Sequence, residues 1–164
     1  MISITRTLLL FSYALFWGGL TFYTGFAVRI AHDVLSDPMD GGMITQRVTV
    51  LLQYFAAATV VLMLANAIQV GRKLRKLGFT LAFCAITLGV TVGGLVIVHG
   101  KLDAVIDVEA VEISDREVFA ANHQRYNQLT TVQWIASLVY LPLTVVAWRK
   151  VDGTSLGSKQ HLQS

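Results

Sequence analysis

Along this chain, four long stretches are apolar on every side of a helix, and the polar residues gather between them. They run from about residue 7 to 31, 48 to 70, 77 to 98 and 126 to 148. A helix needs about 20 mostly apolar residues to cross roughly 30 Å of hydrocarbon, and each stretch meets that length. Strands of a membrane barrel would alternate apolar and polar over ~10 residues, a pattern not found here. The expected fold is all-α: an integral membrane four-helix bundle.

The connections set the expected topology. The link between the second and third stretches is very short, so these two form an antiparallel hairpin and the whole reads as up-down. Segment 32–46 contains Asp37-Pro38 and Gly41-Gly42, both turn signals, and is expected to be a loop. Segment 99–114 is a second, acidic loop with Leu102, Val105, Ile106 and Val108 interleaved. Ser114-Asp115-Arg116-Glu117 reads as a capping box in which Ser114 caps and Glu117 reaches back. The fourth helix then begins near Asp115 and projects beyond the lipid. The first apolar run exceeds the usual h-region of about 7–15 residues and lacks a small-x-small cleavage signal, so it reads as a retained signal anchor. Residues 1–150 form one transmembrane domain, and 151–164 read as a disordered cytoplasmic tail.

Charge decides which side is which. Arg6, Arg72, Lys73, Arg75, Lys76, Arg149, Lys150 and Lys159 share one side with a single acid, Asp152. The other side carries Arg29, Arg47, Lys101, Arg116 and Arg125 with nine acids. The basic run 71–76 sits in the shortest loop, where the positive-inside bias is strongest. Both termini are therefore expected inside (N-in/C-in), in a bacterial inner membrane. The excess positive charge faces anionic headgroups of the bilayer, not nucleic acid.

Composition narrows the chemistry. Charged residues make up 14% and hydrophobic residues 54% of the chain, against about 25% charged in soluble domains, which argues against both a soluble globule and a disordered chain. The one cysteine, Cys84, excludes an internal disulfide, a CxxC motif and a thiolate zinc cage. Cys84 also falls within an apolar run, where a thiol behaves as a small hydrophobe. No GxSxG, P-loop or dinucleotide fingerprint occurs, so the reading leans away from an enzyme.

Helices in lipid associate through small residues and polar links. Gly18, Gly19 and Gly25, Ala56 to Ala58, and Gly89-x3-Gly93 with Gly94 are the candidate close-packing positions. The GxxxG could also serve a homodimer. Three polar stripes follow helical spacing: Thr21, Gly25, Arg29 and His32; Gln46, Thr49 and Gln53; His123, Asn127, Thr131 and Trp134. All are expected to face the bundle or a wet cavity.

Three of the four histidines, His32, His99 and His123, fall at the non-cytosolic boundary, with Arg29, Arg125, Asp33 and Asp103 nearby. Arg29, His32, His99, His123 and Asn127 are the candidate ligand-binding set. Two neutral imidazoles on different helices could ligate haem iron or a divalent metal, which makes His32, His99 and His123 the candidate metal ligands. A plain interfacial role is the alternative: such residues satisfy helix ends and snorkel to the headgroups. Partner binding, a membrane redox subunit holding haem or metal, and a structural accessory subunit of a larger membrane complex remain open as readings.

Phe16-Trp17-Gly18-Gly19, the short basic hairpin, and Phe119-x3-His123-x3-Asn127 together resemble the transmembrane protein 205-like family over residues 7–148. That resemblance implies a four-helix membrane domain with no agreed activity, and it marks His123 and Asn127 as the positions of interest. The acidic loop and hydrophilic tail depart from the family's pattern.

Overall fold

A computed structural model describes residues 4–107 and 112–160, with the side chains of 38, 39, 107 and 154–160 left aside. Helix α1 spans Ile4–Val34, α2 Pro38–Gly71, α3 Arg75–Asp103 and α4 Arg116–Gln160. Between α3 and α4, β1 (Ile106–Asp107) pairs antiparallel with β2 (Glu112–Ile113), with Ile106 opposite Ile113. Residues 108–111, including Val108, and 161–164, including His161, lie outside the described residues.

All four helices are long and apolar enough to cross a membrane. Their large apolar side chains point away from one another: Phe79 is 77% exposed, Val90 70% and Phe11 68%. Thr59, Asn66, Gln133, Ser137 and Thr144 are buried instead. A water-soluble monomer does not expose apolar surface on this scale, whereas a lipid-surrounded bundle must. The four-span expectation therefore stands at the level of length, hydropathy and distribution.

The interior is a set of heptad-like seams. On α3, Gly78, Leu81, Ala85, Leu88, Val92, Leu95, Val98 and Leu102 are buried, recurring every three or four residues as knobs-into-holes packing requires. On α1 the inward set is Leu9, Tyr13, Phe16, Leu20 and Tyr23. Two π-helical turns, Ala14–Gly18 and Tyr23–Ala27, interrupt α1. On α4 it is Asn122, Gln133, Ser137, Tyr140, Thr144, Ala147 and Val151. Helix α3 lies between α2 and α4, and α1 packs along α2.

The tightest approach is in the basic hairpin. A Cβ on Gly78 would lie 2.6 Å from the Gly71 nitrogen and 3.0 Å from the Ala67 oxygen. Only glycine lets the two backbones meet there. Gly19 accepts Leu52, Gly89 accepts Val60 and Gly94 accepts Leu129, while Gly18, Gly25 and Gly93 have nothing within 4 Å. The Gly89/Gly93 pair is thus split: Gly89 packs inside the chain and Gly93 faces outward.

Polar cross-links tie the helices together. Trp148 Nε1 donates to Asn66 Oδ1 (2.7 Å), and Asn66 Nδ2 donates to the Tyr140 hydroxyl (2.9 Å). The Tyr13 hydroxyl donates to the Ser137 carbonyl at 2.6 Å, and Trp134 Nε1 to Thr21 Oγ1 at 3.0 Å. Arg6 forms a bidentate pair with Asp152 (2.7 and 2.9 Å) and covers the Trp148 ring. Tyr13, Trp17 and Trp134 stack in series.

Helix ends depart from expectation in three places. Segment 32–46 is almost wholly helical, since only Leu35 to Asp37 separates α1 from α2. Pro38 opens α2, a position whose missing N–H costs nothing and whose fixed φ suits a first turn. Ser114 does not cap α4. Its hydroxyl donates to the Val105 carbonyl, and Asp115 Oδ1 accepts from the Glu117 and Val118 amides (3.1 and 3.0 Å). Asp115 is therefore the cap residue, one position later than read. Helix α4 also runs on to Gln160, into the segment read as a tail.

Candidate functional site

The end of the bundle opposite the basic hairpin holds most of the candidate residues. Val98 continues the α3 seam between Leu95 and Leu102. His99 sits beside it, partly buried, with its side chain 13% exposed. Its Nε2 lies 3.5 Å from Asp103 Oδ2, one turn on along the same helix. The other Asp103 oxygen accepts from Gln46 Nε2 of α2 at 2.7 Å. On its α4 side, His99 meets the ring of Tyr126 at 6.4 Å between centroids. The Tyr126 hydroxyl accepts from Gln53 Nε2 of α2 at 3.3 Å. His99 is thereby the hub at which α2, α3 and α4 meet.

One layer deeper, a cavity of about 30 Å³ opens among Tyr23, Thr49, Gln53, Tyr126, Thr130 and Gln133. Gln133 is 3% exposed, and its Nε2 has no hydrogen-bond partner among the described residues. Every polar group lining the cavity is neutral.

The remaining candidates are dispersed. His32 is exposed at the end of α1, with its imidazole packed over Gly41 of α2. Arg29 is exposed on α1. His123 is exposed on α4 and stacks on Phe119 at 5.7 Å with an interplanar angle of 11°. Asn127 is exposed one turn further on, and its carbonyl accepts from Thr131 Oγ1 at 2.8 Å. Among the described residues, no three His, Cys, Asp or Glu side chains come together as a metal-holding group. The structure does not bring His32, His99 and His123 together. The physical reason is local: each imidazole already has a different neighbour, namely Gly41, Asp103 and Phe119.

The polar stripes also sort differently from expectation. Gln46 and Gln53 do reach across helix contacts. His123, Asn127 and Thr131 face outward and, with Phe119, Gln124 and Gln128, border one shallow open depression built from α4 alone. The inward face of α4 is instead Asn122, Tyr126, Gln133, Ser137 and Tyr140. Tyr23, Tyr126 and Gln133 were not expected at the site. The signal for the last two was present in the polar series Gln133, Ser137, Tyr140 and Thr144, spaced three or four residues apart, with Tyr126 two turns before Gln133 on the same face.

No family model, curated protein or solved structure matches the chain.

Proposed function

We propose that this protein is a non-enzymatic, four-span, up-down membrane protein that binds a partner through the exposed polar face of α4. Its termini are cytoplasmic, its membrane is the bacterial inner membrane, and the His99 end faces outward. The orientation rests on the concentration of Arg6, Arg72, Lys73, Arg75, Lys76, Arg149 and Lys150 at the opposite end. The transmembrane protein 205-like resemblance is part of the same proposal, since Phe119, His123 and Asn127 fall together on that face.

The observation that carries the reading is the single strip formed by Phe119, His123, Gln124, Asn127, Gln128 and Thr131. At the depth where Tyr126 meets His99, α4 is entering the bilayer. The exposed carboxamides of Gln124, Asn127 and Gln128 lie at that boundary, where they are left to a partner or to water. A polar partner, in a homodimer or a larger complex, takes up those hydrogen bonds. His32, Arg29 and the His99–Asp103 pair then form the surrounding polar rim.

A photo-crosslinking amino acid placed at His123 or Asn127 in intact membranes tests the reading. Discrete protein adducts are expected at both, and none from Phe79, a lipid-exposed control. Two differently tagged copies then separate a second copy of this chain from another protein. Lipid-only adducts at 123 and 127, matching those at 79, refute the proposal.

A further inference from the structure

The cavity beneath His99 has a ligand chemistry of its own. Its volume of about 30 Å³ exceeds the ~10–15 Å³ that one water needs and excludes larger solutes. No lining residue is charged, so an ion entering it would lack a counter-charge in a low-dielectric setting. Gln133 Nε2 brings two N–H donors to the wall, neither accepted by any described group. A buried donor left without an acceptor costs roughly 1–3 kcal/mol. Acceptor capacity stands nearby. The Tyr126 oxygen accepts from Gln53, and its own proton goes to Thr49. The Thr49 hydroxyl gives its proton to the Thr45 and Gln46 carbonyls, and each of the two oxygens keeps acceptor capacity for one more donor. Leu20, Leu52 and Leu95 close the apolar sides.

We infer that this cavity is a binding site for one neutral, water-sized hydrogen-bonding molecule, water itself, held by Gln133 Nε2 and the hydroxyl oxygens of Thr49 and Tyr126. The bound molecule accepts from the Gln133 amide and donates to the two hydroxyls. It links α4 to α2 in the layer that supports the His99–Asp103 pair. The site is separate from the outward face of α4, and each can fail without the other.

Water-edited magic-angle-spinning NMR on the full chain in lipid bilayers tests the inference, with side-chain amides labelled with ¹⁵N. The Gln133→Met variant assigns the Gln133 signal. Asn66 serves as the dry reference, being 2% exposed with both ends of its carboxamide bonded to protein. Rapid magnetisation transfer from water to Gln133, several-fold ahead of Asn66, is the expected result. Equal and slow build-up at the two side chains overturns the inference and leaves the cavity dry.

Discussion

Replacing Gly78 by alanine is the sharpest test of how α2 and α3 meet. The new methyl would sit 2.6 Å from the Gly71 nitrogen and 3.0 Å from the Ala67 oxygen. Carbon contacts are favourable near 3.5–4.0 Å, so the shortfall approaches 1 Å. The obstacles are backbone atoms, which no rotamer change can clear. The helices must separate at a point flanked by Val70 (2% exposed) and Leu81 (0%). Overpacking of this kind costs about 1–3 kcal/mol, and rigid obstacles place it at the upper end, about 3 kcal/mol. Alanine's greater helix propensity returns up to ~1 kcal/mol. The net loss is about 2 kcal/mol, or roughly 30-fold in the folding equilibrium. Gly93→Ala is the matched control, because nothing lies within 4 Å of its added methyl. Both variants can be purified in mild detergent and unfolded with increasing SDS, followed by fluorescence of Trp17, Trp134 and Trp148. If Gly78→Ala unfolds with Gly93→Ala and the parent, the helices do not meet at these glycines and the packing argument fails.

Three further substitutions probe the remaining links. Asn66→Leu strips partners from Trp148 Nε1 and the Tyr140 hydroxyl, both at the α2–α4 contact. Membrane hydrogen bonds average ~0.6 and reach about 1.7 kcal/mol, so a loss of about 1–2 kcal/mol is expected in the same SDS titration, with altered Trp148 emission. Arg6→Ala removes a bidentate pair to Asp152, whose side chain is 58% exposed. Solvent screening limits this to below ~1 kcal/mol, and a double-mutant cycle with Asp152→Ala should show a coupling that shrinks at high salt. Asp115→Ala deletes the cap of α4 at a cost of ~1 kcal/mol, visible as faster hydrogen exchange over residues 116–119; unchanged exchange would mean that the cap lies elsewhere.

Spans and helix ends were unequally legible in the sequence. Four apolar runs of membrane length read as spanning helices, and the structure has four helices long and apolar enough to cross a membrane. Asp37-Pro38 and Gly41-Gly42 misled because turn propensity ignores neighbours. Pro38 starts a helix, and Gly41 stays helical beneath the His32 ring, where its missing side chain makes room. Ser114 and Asp115 are both good caps, and the hairpin carbonyl of Val105 takes the serine. The strip on α4 is the instructive case. His123, Asn127 and Thr131 share a helical period with Tyr126, Gln133 and Ser137, offset by a few residues. Periodicity identifies two polar faces but not which one is inside. Packing decides that, because Tyr126, Ser137 and Tyr140 find partners on α1, α2 and α3.

That division assigns roles to the polar groups of the whole bundle. In lipid, apolar contacts between helices compete with equally good contacts to acyl chains, so polar links and close backbone approach must hold the bundle together. Asn66, Tyr140, Tyr13, Gln53 and Asp103 are committed to that task by their bonds. His123, Gln124, Asn127 and Gln128 make no comparable cross-helix link among the described residues. They also stand on the helix that reaches furthest. From Tyr126, level with His99, α4 continues ten residues to Arg116, about 15 Å. Helix α3 continues only four residues past His99, about 6 Å. Phe119, seven residues or about 10 Å out from Tyr126, therefore clears the end of α3, while His123, three residues or about 4.5 Å out, lies beside the last turn of α3. The inner polar residues are thus spent on cohesion between helices, while the strip on α4 carries no such link among the described residues.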